Sequence, residues 1–265
     1  LDLTVLMYFA LLGIAVGFLA GLLGIGGGTV MVPMLTSIFL SLGIQHDHVV
    51  HLALGTSMAS IVLTAISSLV AHHKRGGVQW SIVQAMTPGI LLGSISATLI
   101  LGFLNSTVLA GVFALFLLFV AWQMVRGKKI QHSRTLPGTA GLFAVGGGIG
   151  ALSTLVSIGG GSISVPFLLR HNVAITKAIG TSAALGFPIA LFGACGYWVL
   201  GHFFSDSPQG FIYFPAVAAI SLMSVLFAPL GVKAAYQLPI GILKKIFALL
   251  LVGLSLKMLV TIVLP

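Results

Sequence analysis

Apolar runs dominate the chain, and polar residues are confined to short gaps between them. A helix that crosses the hydrocarbon of a bilayer needs about 20 mostly apolar residues. Runs of that order occupy about 3–24, 50–71, 78–104, 107–125, 137–157, 173–200, 211–232 and 240–264. Two shorter ones, about 29–43 and 162–169, follow the glycine triplets Gly26-Gly27-Gly28 and Gly159-Gly160-Gly161. The pattern predicts an all-α polytopic membrane protein with about 8 helices of spanning length. The two shorter helices after the Gly-Gly-Gly breaks are each too short to cross comfortably alone. Each reads as half of a re-entrant hairpin or as a short second helix. Residues 3–24 lack a basic flank and a small-residue cleavage site, so they read as a retained membrane segment rather than a signal peptide.

The chain also repeats itself, and an internal repeat reorganises every other assignment. "IGGGTVMVP" (Ile25 to Pro33) returns as "IGGGSISVP" (Ile158 to Pro166), 133 residues on. "ALGTS" (Ala53 to Ser57) returns as "AIGTS" (Ala178 to Ser182), 125 residues on. "VFALFLLFVAWQM" (Val112 to Met124) lines up with "IFALLLVGLSLKM" (Ile246 to Met258) at a shift of 134. Three blocks in one order divide the chain into a first membrane repeat, 1–130, and a second, 131–265. The junction falls near 126–136, and the two repeats read as one integrated membrane domain.

Composition removes whole classes. Of 265 residues, 58% are hydrophobic and 6% charged, against about 25% charged in a soluble domain. A soluble enzyme and a disordered chain are both excluded. The formal charge of +9 does not imply a nucleic-acid partner, because the basic residues are interleaved with membrane-length runs. They act as topology signals. Eleven of the 12 fall in four clusters: Lys74-Arg75; Arg126, Lys128, Lys129 and Arg134; Arg170 and Lys177; Lys233, Lys244 and Lys245. With the N-terminus outside, and three crossings plus one hairpin per half, all four clusters lie inside. Asp2, Asp47 and Asp206 then lie outside, as do both termini. An odd number of crossings inserts the second half upside down, the inverted-topology repeat of secondary transporters. The lipid bilayer is the obligatory partner, and a homo-oligomer is compatible with everything here. Cys195 stands alone, so there is neither a disulfide framework nor a Cys-based metal motif.

The glycine triplets are the first candidate site. Three glycines let a chain leave a helix and turn with positive φ at little steric cost. Irregular backbone at membrane depth must be buried in protein or line a wet cavity. Thr29 and Ser162 follow the triplets and read as helix N-caps, so each short helix would point its positive end inward as an anion site. Close helix packing through small residues is the competing role. If the helices start at Thr29 and Ser162, Pro33 and Pro166 leave the carbonyls of those residues unbonded; if they start later, the prolines merely occupy the first turn. Gly55-Thr56-Ser57 and Gly180-Thr181-Ser182 add paired hydroxyls near the starts of two further helices. These hydroxyls would contact substrate or bond helix to helix.

The arrangement resembles the sulfite exporter TauE/SafE family, also called the TSUP permeases. The resemblance rests on the duplicated "GLLGIGGGTVMVP" and "LVSIGGGSISVP", the duplicated "GTS", and the closing "PLGVKAA…LKKIFALLLVGLSLKML". It implies a bacterial inner-membrane permease for sulfur-containing anions such as sulfite, sulfonates or sulfoacetate. On this reading the substrate contacts are Gly26, Gly27, Gly28, Thr29 and Gly55-Thr56-Ser57 in one half. In the other they are Gly159, Gly160, Gly161, Ser162 and Gly180-Thr181-Ser182. No Asp or Glu lies within a crossing, so carboxylate-based proton coupling is absent. An anion leaving an inside-negative cell gains about 2.3 kcal/mol per charge per 100 mV, which suits export.

Histidines offer the alternative. "QHDHVVH" groups His46, Asp47, His48 and His51, residue types that suit zinc or nickel. A divalent metal-ion permease using His46 and His48 is the second reading, although the second half has no counterpart. His51 lies one turn before Gly55 and is a candidate proton relay. His72 and His73, beside Lys74-Arg75, read as a solvated loop. Lys257 in the last helix reads as a snorkelling residue, and Arg170 and Lys177 as topology anchors that could attract anions. No resident metal and no cofactor are expected. An intramembrane enzyme is disfavoured: there is no Gly-x-Ser-x-Gly elbow and no buried carboxylate to orient a histidine.

Overall fold

The computed structural model describes residues 3–24, 27–126, 135–204, 210–237 and 240–263. The described residues form ten helices and no strand: α1 (Leu3–Leu23), α2 (Gly28–Ser41), α3 (His46–His73), α4 (Trp80–Leu101), α5 (Ser106–Arg126), α6 (Thr139–Leu155), α7 (Gly161–Arg170), α8 (Ile175–Phe204), α9 (Phe214–Ala235) and α10 (Ile240–Val263). Among them α1, α3, α4, α5, α8 and α9 are long and apolar enough to cross a membrane. Of the eight helices expected to be of spanning length, these six meet that measure among the described residues. α6 stops at 17 residues because the chain turns out of the helix at Ser157, which has φ 48°. The apolar stretch described in α10 runs over Ala248–Thr261. At 1.5 Å per residue, α2 with 14 residues and α7 with 10 rise roughly 21 and 15 Å. Both fall short of a hydrocarbon core of about 30 Å.

Each long helix of the first half packs chiefly on a helix of the second: α1 on α9, α3 on α8, α4 on α6 and α5 on α10. Small residues make the closest of these contacts. Along α1, a Cβ at Gly13 would lie 2.6 Å from the Ile220 carbonyl oxygen, one at Gly17 2.5 Å from the Ser224 Cα, and one at Gly21 would overlap the Ala228 carbonyl. Both helices advance together, so they run parallel. α4 and α6 repeat the arrangement: Gly146 faces Met86 and Gly150 faces Ile90. Lipid tails are as apolar as leucine, so backbones that approach this closely gain stability by van der Waals packing rather than by the hydrophobic effect. α3 and α8 differ. Gly55 lies against Tyr197 and Met58 against Gly193, which makes that central pair antiparallel.

Large apolar side chains both fill the core, as Phe9, Phe39 and Phe113 do, and cover the outside, while polar side chains within the helices are mostly turned inward. Leu92, Leu99, Leu115, Leu222 and Leu249 are exposed, while the buried polar residues among those described are all Ser or Thr apart from His51 and His72. Several hydroxyls bond back to their own helices. Thr36 donates to the Val32 carbonyl, Ser60 to Thr56 and Thr87 to Val83, the usual i−4 pattern for Ser and Thr in helices.

Candidate functional site

Two turns of matching backbone geometry lie at the centre. In the first, Gly24 has φ 67° and Gly27 φ 78°; in the second, Ser157 has φ 48° and Gly160 φ 75°. The sequence repeat aligns Gly24 with Ser157 and Gly27 with Gly160, so each copy has a left-handed residue on leaving one helix and another on entering the next. Left-handed backbone costs an ordinary residue about 1–2 kcal/mol. At Ser157 the side chain offsets that cost by donating to the Leu54 carbonyl, 2.7 Å away. Ile25 and Gly26 lie outside the described residues.

The helix caps correct the sequence reading. Thr29 and Ser162 are not N-caps: α2 begins at Gly28 and α7 at Gly161, with Gly27 and Gly160 as caps and no side-chain cap bond. A left-handed glycine turns the chain sharply enough that its own carbonyl takes over. The Gly27 carbonyl accepts from the N–H groups of Val30 and Met31, and that of Gly160 from Ile163 and Ser164. The Thr29 and Ser162 hydroxyls are buried without a protein partner. Pro33 and Pro166 lie inside these helices, beyond the first turn, so neither gives an N–H to the carbonyl of Thr29 or Ser162.

The two turns meet. Gly28 lies so close to the second turn that a Cβ there would overlap the Ser157 carbonyl oxygen. Each turn also docks on the Gly-Thr-Ser helix of the opposite half. Ser157 bonds Leu54 of α3, while the Gly24 carbonyl accepts from Ser182 of α8 at 3.2 Å. Ser182 is in turn 2.7 Å from the Ser164 hydroxyl, which also reaches the Gly160 carbonyl at 2.9 Å. Between α1, α3 and α8, a small chamber is lined by Gly24 of the first turn and Gly159 of the second, with Thr64, Ser68, Ala183 and Gly186. It leaves about 10 Å³ for the centre of a water-sized sphere, roughly the room for one water. Ser68, on the chamber wall, and Ser57 are buried with no protein partner.

The two Gly-Thr-Ser motifs hold a second pair of matching contacts. Thr56 accepts the Tyr213 N–H at 2.9 Å and Thr181 accepts the Gln79 N–H at 3.0 Å. Gly55 and Gly180 make room for those segments, since a Cβ at either would overlap the carbonyl of Phe211 or Gly77. Thr56 and Thr181 therefore fasten the residues that lead into α9 and α4. Ser57 is the unbonded member of its motif, and Ser182 holds the first turn.

Histidines divide differently from expectation. His72 is fully buried, with Nε2 3.2 Å from the Gly21 carbonyl and its ring on Tyr236; it is not part of a solvated loop. The signal lay in helical spacing, because Thr64, Ser68 and His72 follow one face of α3. His73 is exposed and accepts from Trp80 Nε1. His51 is buried against Phe211, with Nδ1 3.4 Å from the Ser106 hydroxyl. His48 packs on the same phenylalanine, and the His46 side chain lies outside the described residues. No three His, Cys, Asp or Glu side chains come together among the described residues. Sequence reasoning also missed Ser157 and Ser164. At Ser157 the clue was a serine aligned with a glycine, Gly24, just before the repeated block.

Comparison with known proteins agrees with this architecture. Residues 9–258 match the family model described as "Sulfite exporter TauE/SafE". The chain is 37% identical to a probable membrane transporter protein of Haemophilus influenzae over 260 residues, covering 96% of this chain and 98% of that one. It is 28% identical to a probable membrane transporter protein of Methanocaldococcus jannaschii, covering 86% and 83% of the two chains. A probable membrane transporter protein of Bacillus subtilis is 25% identical over 91% of this chain and 93% of its own. No solved structure matches the chain. With spanning helices around a polar, inward-facing centre, and a family match over nearly its whole length, the chain is a membrane transporter of the TauE/SafE sulfite exporter family.

Proposed function

We propose that this transporter is a permease for small sulfur oxyanions of the sulfite, sulfonate or sulfoacetate type, exporting them by alternating access. The cargo site is the junction of the two glycine turns. One observation carries the reading: Gly24 and Gly159, one from each half, line the same buried chamber. Around that junction lie donors and no acids. Ser68 lines the chamber, and Thr29, Ser57 and Ser162 flank the turns; the hydroxyls of all four are buried and unpaired in the protein. A desolvated oxyanion needs several hydrogen-bond donors at once, and an unpaired hydroxyl or helix N–H supplies one without competing negative charge.

A chamber with room for one water is an occluded state, so the turns must part for an oxyanion to enter or leave. The inverted-repeat reading supplies the means. Antiparallel α3 and α8 form the central pair, and the cross-half pairs α1–α9 and α4–α6 exchange roles when the halves are exchanged. Residues 1–130 and 131–265 then rock against each other about the shared site. With both termini outside the bacterial inner membrane, the basic clusters face the cytoplasm, and the membrane potential drives the anion outward.

Flux in proteoliposomes tests this. Under an inside-negative potential, sulfite and sulfoacetate should leave and chloride should lag. Equal rates for all three, or no flux of any, would overturn the assignment.

A further inference from the structure

A concavity larger than the chamber at the glycine turns lies elsewhere. It is a groove of about 680 Å³ between α3 and α9, walled by Leu63, Ile66, Val70, Val225 and Pro229 and ending at Lys74 and Arg75. Its origin is local. Pro229 has no N–H to give the Val225 carbonyl, so α9 lacks a bond there. Ser67 of α3 donates to that carbonyl instead, at 2.9 Å. This bond, with the one between the Thr64 and Ser224 hydroxyls, joins the two helices, while the apolar rims at Leu63, Ile66 and Val70 stay exposed.

Length and charge name an occupant. From Leu63 to Arg75 the helical rise is about 18 Å, close to the roughly 15 Å of one leaflet's hydrocarbon. At the end of that path Lys74 and Arg75 are exposed. The Arg75 guanidinium is held at the rim, Nη1 3.4 Å from the Ala71 carbonyl and its centre 5.6 Å over the Tyr236 ring. The only acid of α3, Asp47, lies in its first turn at the far end. We infer that the groove is a specific site for an anionic glycerophospholipid of the leaflet on the Lys74–Arg75 side, its chains along Leu63–Val70 and its phosphate between the two cations. This site is separate from the glycine turns and does not depend on what the protein carries.

The test is lipid retention by the purified full chain. After extraction from vesicles of equimolar phosphatidylglycerol and phosphatidylcholine, native mass spectrometry should find phosphatidylglycerol retained in preference. Lys74→Gln with Arg75→Gln should lower its affinity about 30-fold, the worth of two cations near an anionic headgroup. Arg170→Gln, at the end of α7 and in another basic cluster, should leave it unchanged. Val225→Trp, which fills the groove and alters no charge, should also release the lipid. Equal retention of the two lipids overturns the proposal. So does a loss with Arg170→Gln as large as with the double variant, which would mean diffuse surface charge. Displacement by soluble glycerol phosphate, or retention undiminished by Val225→Trp, would overturn the role of the groove.

Discussion

Ser157 gives its hydroxyl to the carbonyl of Leu54, 2.7 Å away and 103 residues earlier in the chain. The bond ties the left-handed turn of the second half to the helix that carries Gly55-Thr56-Ser57 in the first. Its counterpart in the other copy is made without a side chain: Gly24 abuts the carbonyl of Ile179, and the repeat aligns Ile179 with Leu54. Ser157→Ala should lower stability by about 0.5–1.5 kcal/mol, since it removes the bond from the turn to α3 and keeps a Cβ in left-handed backbone. Ser157→Gly should cost less, because glycine removes the strain. Thermal unfolding of the two variants in one detergent checks the order.

The contact between the turns invites a steric test. Ala at Gly28 would overlap the Ser157 carbonyl, backbone against backbone, with no flexible atom to give way. Gly28→Ala should therefore insert and fold but lose flux about tenfold or more, a barrier change of at least about 1.4 kcal/mol. Gly111→Ala is the control. Nothing lies within 4 Å of a Cβ there, and alanine in a helix interior gains about 0.5–1 kcal/mol over glycine. Proteoliposome flux beside the unfolding temperature separates the two effects.

Thr56 and Thr181 should behave as a matched pair. Each accepts one backbone N–H from a segment of the opposite half, so Thr56→Val and Thr181→Val should each cost about 1–3 kcal/mol by leaving that N–H unpaired. Serine at either position keeps the acceptor and should restore most of the loss. Unequal costs, with only one variant destabilised, would break the equivalence of the two motifs.

These pairs also mark the limit of what the chain discloses by itself. Apolar runs placed all ten helices within a few residues, because a membrane helix is announced by length and hydropathy. The triplets announced the turns because glycine is needed where φ is positive, as at Gly27 and Gly160. Gly77-Val78-Gln79 and Phe211-Ile212-Tyr213 went unnoticed, though they occupy matching places beside Gly180 and Gly55. They offer backbone N–H and C=O groups, which every residue has, so no shared residue type marks them. His72 was misjudged through its neighbours: Lys74 and Arg75 are solvated, but one turn back α3 faces the interior.

Alkaline pH should report on Tyr236. Burial raises its phenol above the ordinary value, and nearby Arg75 offsets part of the rise. The folded chain then keeps this proton at a pH where the unfolded chain has lost it. Its contribution is intact below about pH 10, the unfolded value, and is lost as pH rises toward the folded one. Tyr236→Phe cannot ionise. The stability difference between wild type and Tyr236→Phe should stay level up to about pH 10 and move against wild type above it. A difference that stays level throughout would mean the phenol ionises alike in both states.

Ser68 separates a binding site from a packing feature by the sign of two effects. Removing a hydroxyl that is bonded in the resting protein lowers stability. Ser68 is 2% exposed, lines the chamber and has no protein partner. A buried hydroxyl without a partner costs about 1–3 kcal/mol on protein scales, so Ser68→Ala should leave stability unchanged or raise it. If that donor meets the cargo, the same change should weaken transport. One lost hydrogen bond to a charged group, worth about 1.5–3 kcal/mol, is a rise in KM of roughly 10-fold or more. Ser162→Ala, also buried and unpaired, should follow the same pattern. Ser182→Ala should not, because that hydroxyl holds the Gly24 carbonyl and its loss costs stability as well as flux. Unfolding temperature and the concentration dependence of sulfite flux, measured on all three variants, give opposite signs for a site and the same sign for a packing role.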